Sequence, residues 1–362
     1  MNELLINQSD ILHNVEIIKS RFDARIIAVI KCGGYGFGLL YMAELLRGQR
    51  FDFFGVTEVD DLEILRQNGF DCEVLILRST ALLEEAERIV ACGGTANVGS
   101  PADAKALASA AKKLGKTARA HISIDTGMAR DGFAADDFAA VAALYKDFPD
   151  INFCGIFTHF NSSFTNTEKT RGQLAAFTAL VNKLKAQGIN VGLVHAANSS
   201  AAFNLPQSVM SCARIGSAFI GRLAVKSDLK PVGVIRTRIT GIKQVKKGDE
   251  IGYLAAHKAK RSMTLAVLPI GTHDGFGVAP APDINNFGTF LLGLVSGFKK
   301  LIRKTPPFTV EINSKTCPTV GHIGSNHAVV DITGLKTEIG DEVFIHMNPM
   351  HVAECVKRTV EK

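Results

Sequence analysis

An apolar, β-branched run (Ile26, Ile27, Val29, Ile30) stops at Lys31, and a tyrosine set among four glycines follows: Gly33, Gly34, Tyr35, Gly36, Gly38. The run reads as a buried parallel strand, its end as a glycine-rich turn, and the apolar periodicity over 39–46 as a helix. Upstream, residues 9–21 read as a helix with Ile11, Val15 and Ile18 on one stripe. Downstream, apolar strands are expected near 53–56, 74–77, 95–98, 118–124, 153–158, 191–195 and 209–215. Helical patterns fill the gaps at 59–67, 81–91, 101–114, 136–147 and 167–187. About eight strand–helix units of roughly 25–35 residues are the signature of a parallel (β/α)8 barrel, and the count of eight favours closure over an open doubly wound sheet.

Past residue 225 helical periodicity largely disappears. Short strands are expected near 234–242, 250–253, 263–269, 309–312 and 327–332, with turn signals at Lys247-Gly248-Asp249 and Gly340-Asp341. The expected class is therefore α/β. A (β/α)8 barrel over 1–224 is followed by a mostly-β domain over 225–362.

Candidate chemistry collects where the strands end. A lysine at the carboxyl end of a barrel strand points to the place where such folds keep their active sites. If desolvated there, its amine can deprotonate and condense with an aldehyde. A lysine that merely snorkels out of the strand end has the same position. The glycines after Lys31 fit neither G-x-G-x-x-G in any frame nor a P-loop, whose lysine follows its glycines. Later strands end in Asp125-Thr126-Gly127-Met128-Ala129-Arg130-Asp131-Gly132-Phe133, Thr158-His159-Phe160, His195-Ala196-Ala197-Asn198-Ser199-Ser200 and Arg214-Ile215-Gly216-Ser217. In a barrel these ends meet at one mouth, with a phosphate commonly at the last two loops. Ser199 and the amides near Gly216 are then candidate phosphate donors.

Composition narrows the class. No run of 18 uncharged apolar residues occurs, so no membrane span is expected, and the first ten residues lack a secretory pattern. The seven cysteines are scattered and never in C-x-x-C spacing, which fits thiols in a reducing cytosol better than disulfides or zinc. The net charge of +6 is mild, and its densest piece, 299–304, lacks the aromatic interleaving of a nucleic-acid surface. The expectation is a cytoplasmic protein without metal, acting on a small molecule.

Taken in order, strand-Lys-x-x-x-Tyr-Gly-x-Gly, Asp-Thr-Gly-Met-x-Arg, Thr-His-Phe, Ala-Asn-Ser, Arg-x-Gly and Leu-Pro-Ile-Gly-x-x-Asp-Gly (268–275) resemble the motifs of the alanine racemase family. The resemblance implies a pyridoxal 5'-phosphate enzyme acting at Cα of an amino acid, as a head-to-tail homodimer whose β domain completes the partner's active site. Carried over, it makes Lys31 the covalent attachment point of the cofactor. Tyr35, Ser199 and Gly216 hold the phosphate, Asn198 and Ser217 also bind the cofactor, His159 lies beside the pyridine ring, and Arg130 contacts its phenolic oxygen. Arg214 faces the ring nitrogen. A guanidinium there cannot give up its proton, which makes the cofactor a weaker electron sink and favours return of a proton to Cα over transamination.

The departures fall at the chemistry. Where the family has its second acid/base, a tyrosine, this chain has Thr272, followed by His273, and none of its four tyrosines lies in that motif. The family's methionine–aspartate pair is Ser325-Asn326, here followed by His327, and the lysine that buttresses the arginine is Ser123. The C-terminal tyrosine and arginine-rich ending are missing, and an extra segment around 299–307 lengthens the β domain. An aliphatic hydroxyl is far too weak an acid to replace a phenol, whereas imidazole titrates near neutrality. The expected catalytic groups are thus Lys31, His273 and Thr272, with Arg130, Ser325 and Asn326 contacting a substrate more polar than alanine. Two other readings stay open: a one-faced Cα reaction such as decarboxylation or retro-aldol cleavage, and a non-catalytic carrier of the cofactor. The β domain argues against the carrier.

Overall fold

The computed structural model describes residues 2–223, 225–252, 257–278 and 308–361. Tyr253 and the 299–307 segment lie outside these residues. Two compact units are present, Ser9–Val232 and a second unit built from Met1–Gln8 with Gly233–Lys362. The division expected at 224/225 had assigned the first eight residues to the barrel unit.

In the first unit, eight parallel strands run in the order Cys212–Ile215, Arg25–Val29, Phe53–Val56, Glu73–Ser79, Thr95–Val98, Ala118–Asp125, Ile151–Thr158, Leu193–His195. All seven pairings in this order are parallel. The remaining seam is bridged by single backbone bonds, Ser211 N–H to Val194 O at 2.9 Å and Arg214 N–H to Ala197 O at 3.0 Å, so the barrel is nearly closed. Every strand expected from the apolar runs is present, within a few residues at each end.

The helices between them carry legible caps. Ser100 Oγ accepts from Asp103 N–H, Asp103 Oδ2 accepts from Gly99 N–H, and Pro101 occupies the first turn, where a missing donor costs nothing. Asn166 caps the 20-residue helix Thr167–Ala186 in the same way. Inside the barrel, Ile27, Phe53, Leu75 and Cys212 form a fully buried apolar cluster contributed by four different strands.

The second unit is β-rich, as expected. A six-stranded sheet runs Lys315–Pro318, Thr309–Ile312, Glu342–Ile345, Val234–Arg238, Glu3–Asn7, Lys357–Glu361, beside a three-stranded sheet of Gly241–Val245, Met263–Leu268 and Ala328–Asp331. The continuous strand expected at 234–242 is two strands in different sheets, because the chain turns at Ile239–Thr240 and Thr240 N–H bonds Val267 O. Glu3–Asn7 pairs antiparallel with Val234–Arg238 and parallel with Lys357–Glu361, which places the N-terminus in this unit.

Candidate active site

The first barrel strand delivers Lys31 to a cavity of about 440 Å³ at the carboxyl ends of the strands. That volume suits a cofactor-sized molecule. After Lys31 the backbone makes a left-handed turn: Cys32, Gly33, Gly34 and Tyr35 have φ of 54°, 57°, 64° and 57°. Glycine enters this region freely, but Cys32 and Tyr35 are forced there at a cost of about 1–2 kcal/mol per residue. The turn is closed by Gly34 N–H to Ile30 O (3.0 Å) and Gly38 N–H to Gly33 O (2.8 Å). It sends Tyr35 inward, 7% exposed, across to the loop after the last strand.

There Tyr35 Oη lies flat against Gly216. A Cβ at that position would stand 2.1 Å from the hydroxyl, so no larger residue fits while Tyr35 keeps its place. Burial raises the Tyr35 phenol well above its ordinary range, with Cys32 adding to the rise and the Ser217 backbone N–H opposing it. Tyr35 is therefore a neutral hydrogen-bond donor. Ser199, 6% exposed, accepts the Gly216 N–H at 2.9 Å, which leaves its own proton to donate. Asn198 caps the short helix carrying Ser199 through Ala201 N–H at 2.9 Å and also accepts from Ser163 Oγ at 3.0 Å. Tyr35, Ser199, Gly216 and Ser217 thus form one cradle in which the Tyr35 and Ser199 hydroxyls are the donors, with no side chain on its floor.

Beneath this cradle lies Arg214, 4% exposed. Its Nη2 donates to Thr158 O (2.7 Å) and Ala196 O (3.0 Å) and lies 3.4 Å from His159 Nδ1, while Nη1 meets His195 Nδ1 at 2.7 Å. Burial lowers Arg214 to about 10, which still leaves it charged at neutral pH. Since a guanidinium only donates, His195 Nδ1 must accept, so the His195 proton sits on Nε2. That proton goes to His121 Nδ1 at 2.8 Å, which assigns the His121 proton to Nε2, a buried atom without a partner. Burial, with the nearby guanidiniums, lowers His121 to about 3 and His195 well below the ordinary imidazole value. His159 is likewise brought to about 3, mainly by burial and then by Arg214, Arg130 and Lys31. All three imidazoles are neutral at pH 7.

Arg130 lines the cavity on the loop after the fifth strand. Asp125 folds that loop by accepting Gly127, Met128 and Ala129 N–H at 2.7–3.0 Å. Burial works to raise Asp125, but these three bonds and Arg130 outweigh it and hold the carboxyl below its ordinary value. Two charged lining residues escaped the sequence reading: Glu58, just past the second strand, and Arg78, near the end of the third. Arg78 bonds Glu58 at 3.1 Å and Glu85 at 2.7 and 2.8 Å, so its charge is locally balanced. Charged residues at strand ends were the signal that could have found them. Lys31, Arg130 and Arg214 leave the cavity cationic, as an anionic phosphate or carboxylate requires.

The remaining expected residues lie together in the second unit. Thr272, His273 and Asp274 form one 3-10 turn, and Thr272 and His273 donate their backbone N–H to Gly324 O and Ser325 O, both at 3.0 Å. Thr272, His273, Ser325 and Asn326 are all exposed, and Cys355 Sγ stands 4.0 Å from His273 Nδ1. Among the described residues, the side chains of Glu73, His121 and Cys154 come close enough to suggest a metal. The Glu73 carboxylate, however, is held by Arg25 and Arg119, which repel a cation.

Comparison with known proteins agrees with this geometry. Residues 6–223 match the family description "Alanine racemase, N-terminal domain" and residues 232–360 match "Alanine racemase, C-terminal domain". The alanine racemase of Desulfovibrio desulfuricans is 29% identical over 353 residues, 95% of this chain and 88% of that protein. That of Methylacidiphilum infernorum is 32% identical over 341 residues, 92% and 80% of the two chains. Among solved structures, the alanine racemase of Clostridium difficile 630 superposes with a TM-score of 0.83 at 26% identity, covering 99% of this chain and 95% of its own. The Streptomyces lavendulae enzyme, at 20% identity and a TM-score of 0.85, shares the fold over 100% and 97% of the two chains. With both domain descriptions matched in order, and its strand-end lysine, tyrosine and arginines gathered in one cavity, this chain belongs to the alanine racemase family.

Proposed function

We propose that this chain is a pyridoxal-phosphate-dependent amino-acid racemase, working as a head-to-tail homodimer on an amino acid more polar than alanine. The observation that carries the reading is the cradle beside Lys31 formed by Tyr35, Ser199, Gly216 and Ser217, with the Tyr35 and Ser199 hydroxyls as its donors. Its floor is bare only because Gly216 has no side chain, and its donors suit a phosphate. When bound, pyridoxal phosphate supplies the electron sink that stabilises negative charge at Cα. The residues of this chain do the rest. Lys31 attaches the cofactor and moves a proton on one face of Cα. Arg214, charged and held through both Nη groups, presents only donors. Arg130 binds the substrate carboxylate, and neutral His159 flanks the ring.

The second face is where this chain departs from its relatives. A two-base racemase needs a proton donor there, and the Thr272 hydroxyl is too weak an acid. His273, on the same turn, is assigned that role. Ser325 and Asn326 offer hydrogen bonds that the methyl group of alanine cannot use, and unpaired polar groups discriminate strongly against a substrate that lacks their partner. The exposed threonine also supports a second reading, a one-faced Cα reaction run by Lys31 alone.

Two measurements decide. Borohydride reduction of the yellow protein followed by peptide mapping should place the adduct on Lys31; protein that stays colourless with the cofactor sinks the proposal. Incubating each enantiomer of a panel of amino acids in deuterium oxide should then show exchange at Cα, faster from one enantiomer than the other. Alanine should be a poor substrate, and His273→Ala should abolish exchange from the slower face. Equal and efficient exchange of both alanine enantiomers, unaffected by His273→Ala, would refute the assignment of the second face. Product without chiral inversion would favour the one-faced reaction.

A further inference from the structure

Arg130 is the most exposed of the cavity cations, with its side chain 56% exposed on a loop rather than on a strand. The residue next to it supplies a hold. Asp131 Oδ1 accepts from Arg130 Nε at 2.9 Å. Asp131, whose side chain is 17% exposed, is itself tied to the barrel wall, because its Oδ2 accepts from Asn97 Nδ2 at 3.1 Å. The same Asn97 amide nitrogen gives its other proton to Leu77 O at 3.0 Å. Asn97 stands in the fourth strand and Leu77 in the third, so the loop is fastened to two strands of the barrel.

The orientation of Asn97 is not arbitrary. It is 2% exposed, and its Oδ1 is buried without a hydrogen-bond partner. Turning the amide over would face that oxygen toward a carboxylate and a carbonyl, two acceptors, and both would lose their donor. The side chain thus leaves its own acceptor unpaired in order to aim both donors. Ser123, in the neighbouring strand, contributes nothing comparable: its Oγ is buried and has no partner.

We propose that Asp131, braced by Asn97, is the positioning residue that holds Arg130 in the cavity. Its effect on catalysis rests on the reading of Arg130 as a substrate contact; the geometric claim does not. A carboxylate bonded to Nε fixes the plane of the guanidinium and leaves the two Nη groups to face an anion.

The test uses Asp131→Asn, Asp131→Glu and Asn97→Leu in the full chain, with phenylglyoxal as an arginine-directed probe and peptide mass mapping as the readout. Phenylglyoxal adds to the guanidino group, so releasing that group from the carboxylate that pins it should speed labelling of Arg130 at least threefold in Asp131→Asn and in Asn97→Leu. Asp131→Glu should restore slow labelling, and Arg171, an exposed arginine elsewhere on the barrel unit, should not change in any variant. With the amino acid that the exchange panel identifies, Asp131→Asn should raise KM about tenfold while kcat changes less. Arg130 labelling that is unchanged in Asp131→Asn overturns the proposal whatever reaction the chain performs. Faster labelling with an unmoved KM overturns the positioning role. If the wild-type chain racemises nothing, the functional reading fails and the labelling arm alone decides this one.

Discussion

Replacing Gly216 by alanine tests the cradle directly. The φ of Gly216 lies outside the left-handed region, so the added methyl brings no backbone strain and its effect is purely steric. The new Cβ would stand 2.1 Å from Tyr35 Oη, 2.7 Å from Cζ and 2.9 Å from Cε2. Ordinary contact begins near about 3.4 Å, so the ring must retreat by roughly 1 Å from a buried site in a close-packed interior. Tyr35 has little room to comply, because its own backbone is fixed in a left-handed turn at φ 57°. Overpacking of this kind costs about 1–3 kcal/mol. Moving the hydroxyl also removes a donor from the phosphate site, worth about 1.5–3 kcal/mol when the acceptor is charged. Pyridoxal phosphate should therefore bind roughly 10- to 150-fold more weakly. Absorbance titration of the cofactor-free chain measures the affinity, and urea unfolding measures the stability. Adding Tyr35→Phe removes the nearest atom of the clash, so the double variant should recover part of the stability lost in Gly216→Ala, a non-additivity expected of touching residues. An affinity within twofold of wild type, with an unchanged urea midpoint, would refute the contact on which the cradle rests.

Two further expectations follow from Arg214 and the histidines. Arg214→Leu strips the donors from Thr158 O, Ala196 O and His195 Nδ1, and should cost about 3–5 kcal/mol of stability in urea; a loss under 1 kcal/mol would mean that the guanidinium is not the hub drawn above. His121 and His159 are held near 3 and His195 well below the ordinary imidazole value, against about 6.5 in an unfolded chain. The unfolded chain therefore takes up protons first, so stability is full above pH 6.5 and falls as the pH drops from 6.5 toward 3. Each histidine contributes a slope of up to about 1.4 kcal/mol per pH unit in that window. Urea midpoints that stay level between pH 6.5 and 4.5 would show that the imidazoles are not buried neutral.

The sequence by itself determined the elements and their order. The apolar runs at 26–30, 53–56 and 95–98 have the length and β-branching of buried parallel strands, and helical periodicity fills the gaps between them, so eight units and the identity of their ends follow from local pattern. Lys31, Arg130, His159, Ser199 and Arg214 were legible because each lies at or within a few residues of a strand's end, and a barrel sends all strand ends to one mouth. Only the tertiary structure decided what these residues touch. That Gly216 must be glycine depends on Tyr35, 181 positions earlier in the chain, crossing the mouth of the barrel. The histidine protons are assigned by an arginine that reaches His195 from the next strand, and through His195 the more distant His121. Asn97 reads as one more polar residue in an apolar strand until the register places it between Leu77 O and Asp131. The first strand, Glu3–Asn7, was missed for the same reason: its partners begin at Val234 and Lys357, and nothing in five residues announces a pairing that distant. Periodicity is a property of neighbours along the chain, whereas a contact is set by the register and twist of the whole sheet, which no single segment encodes.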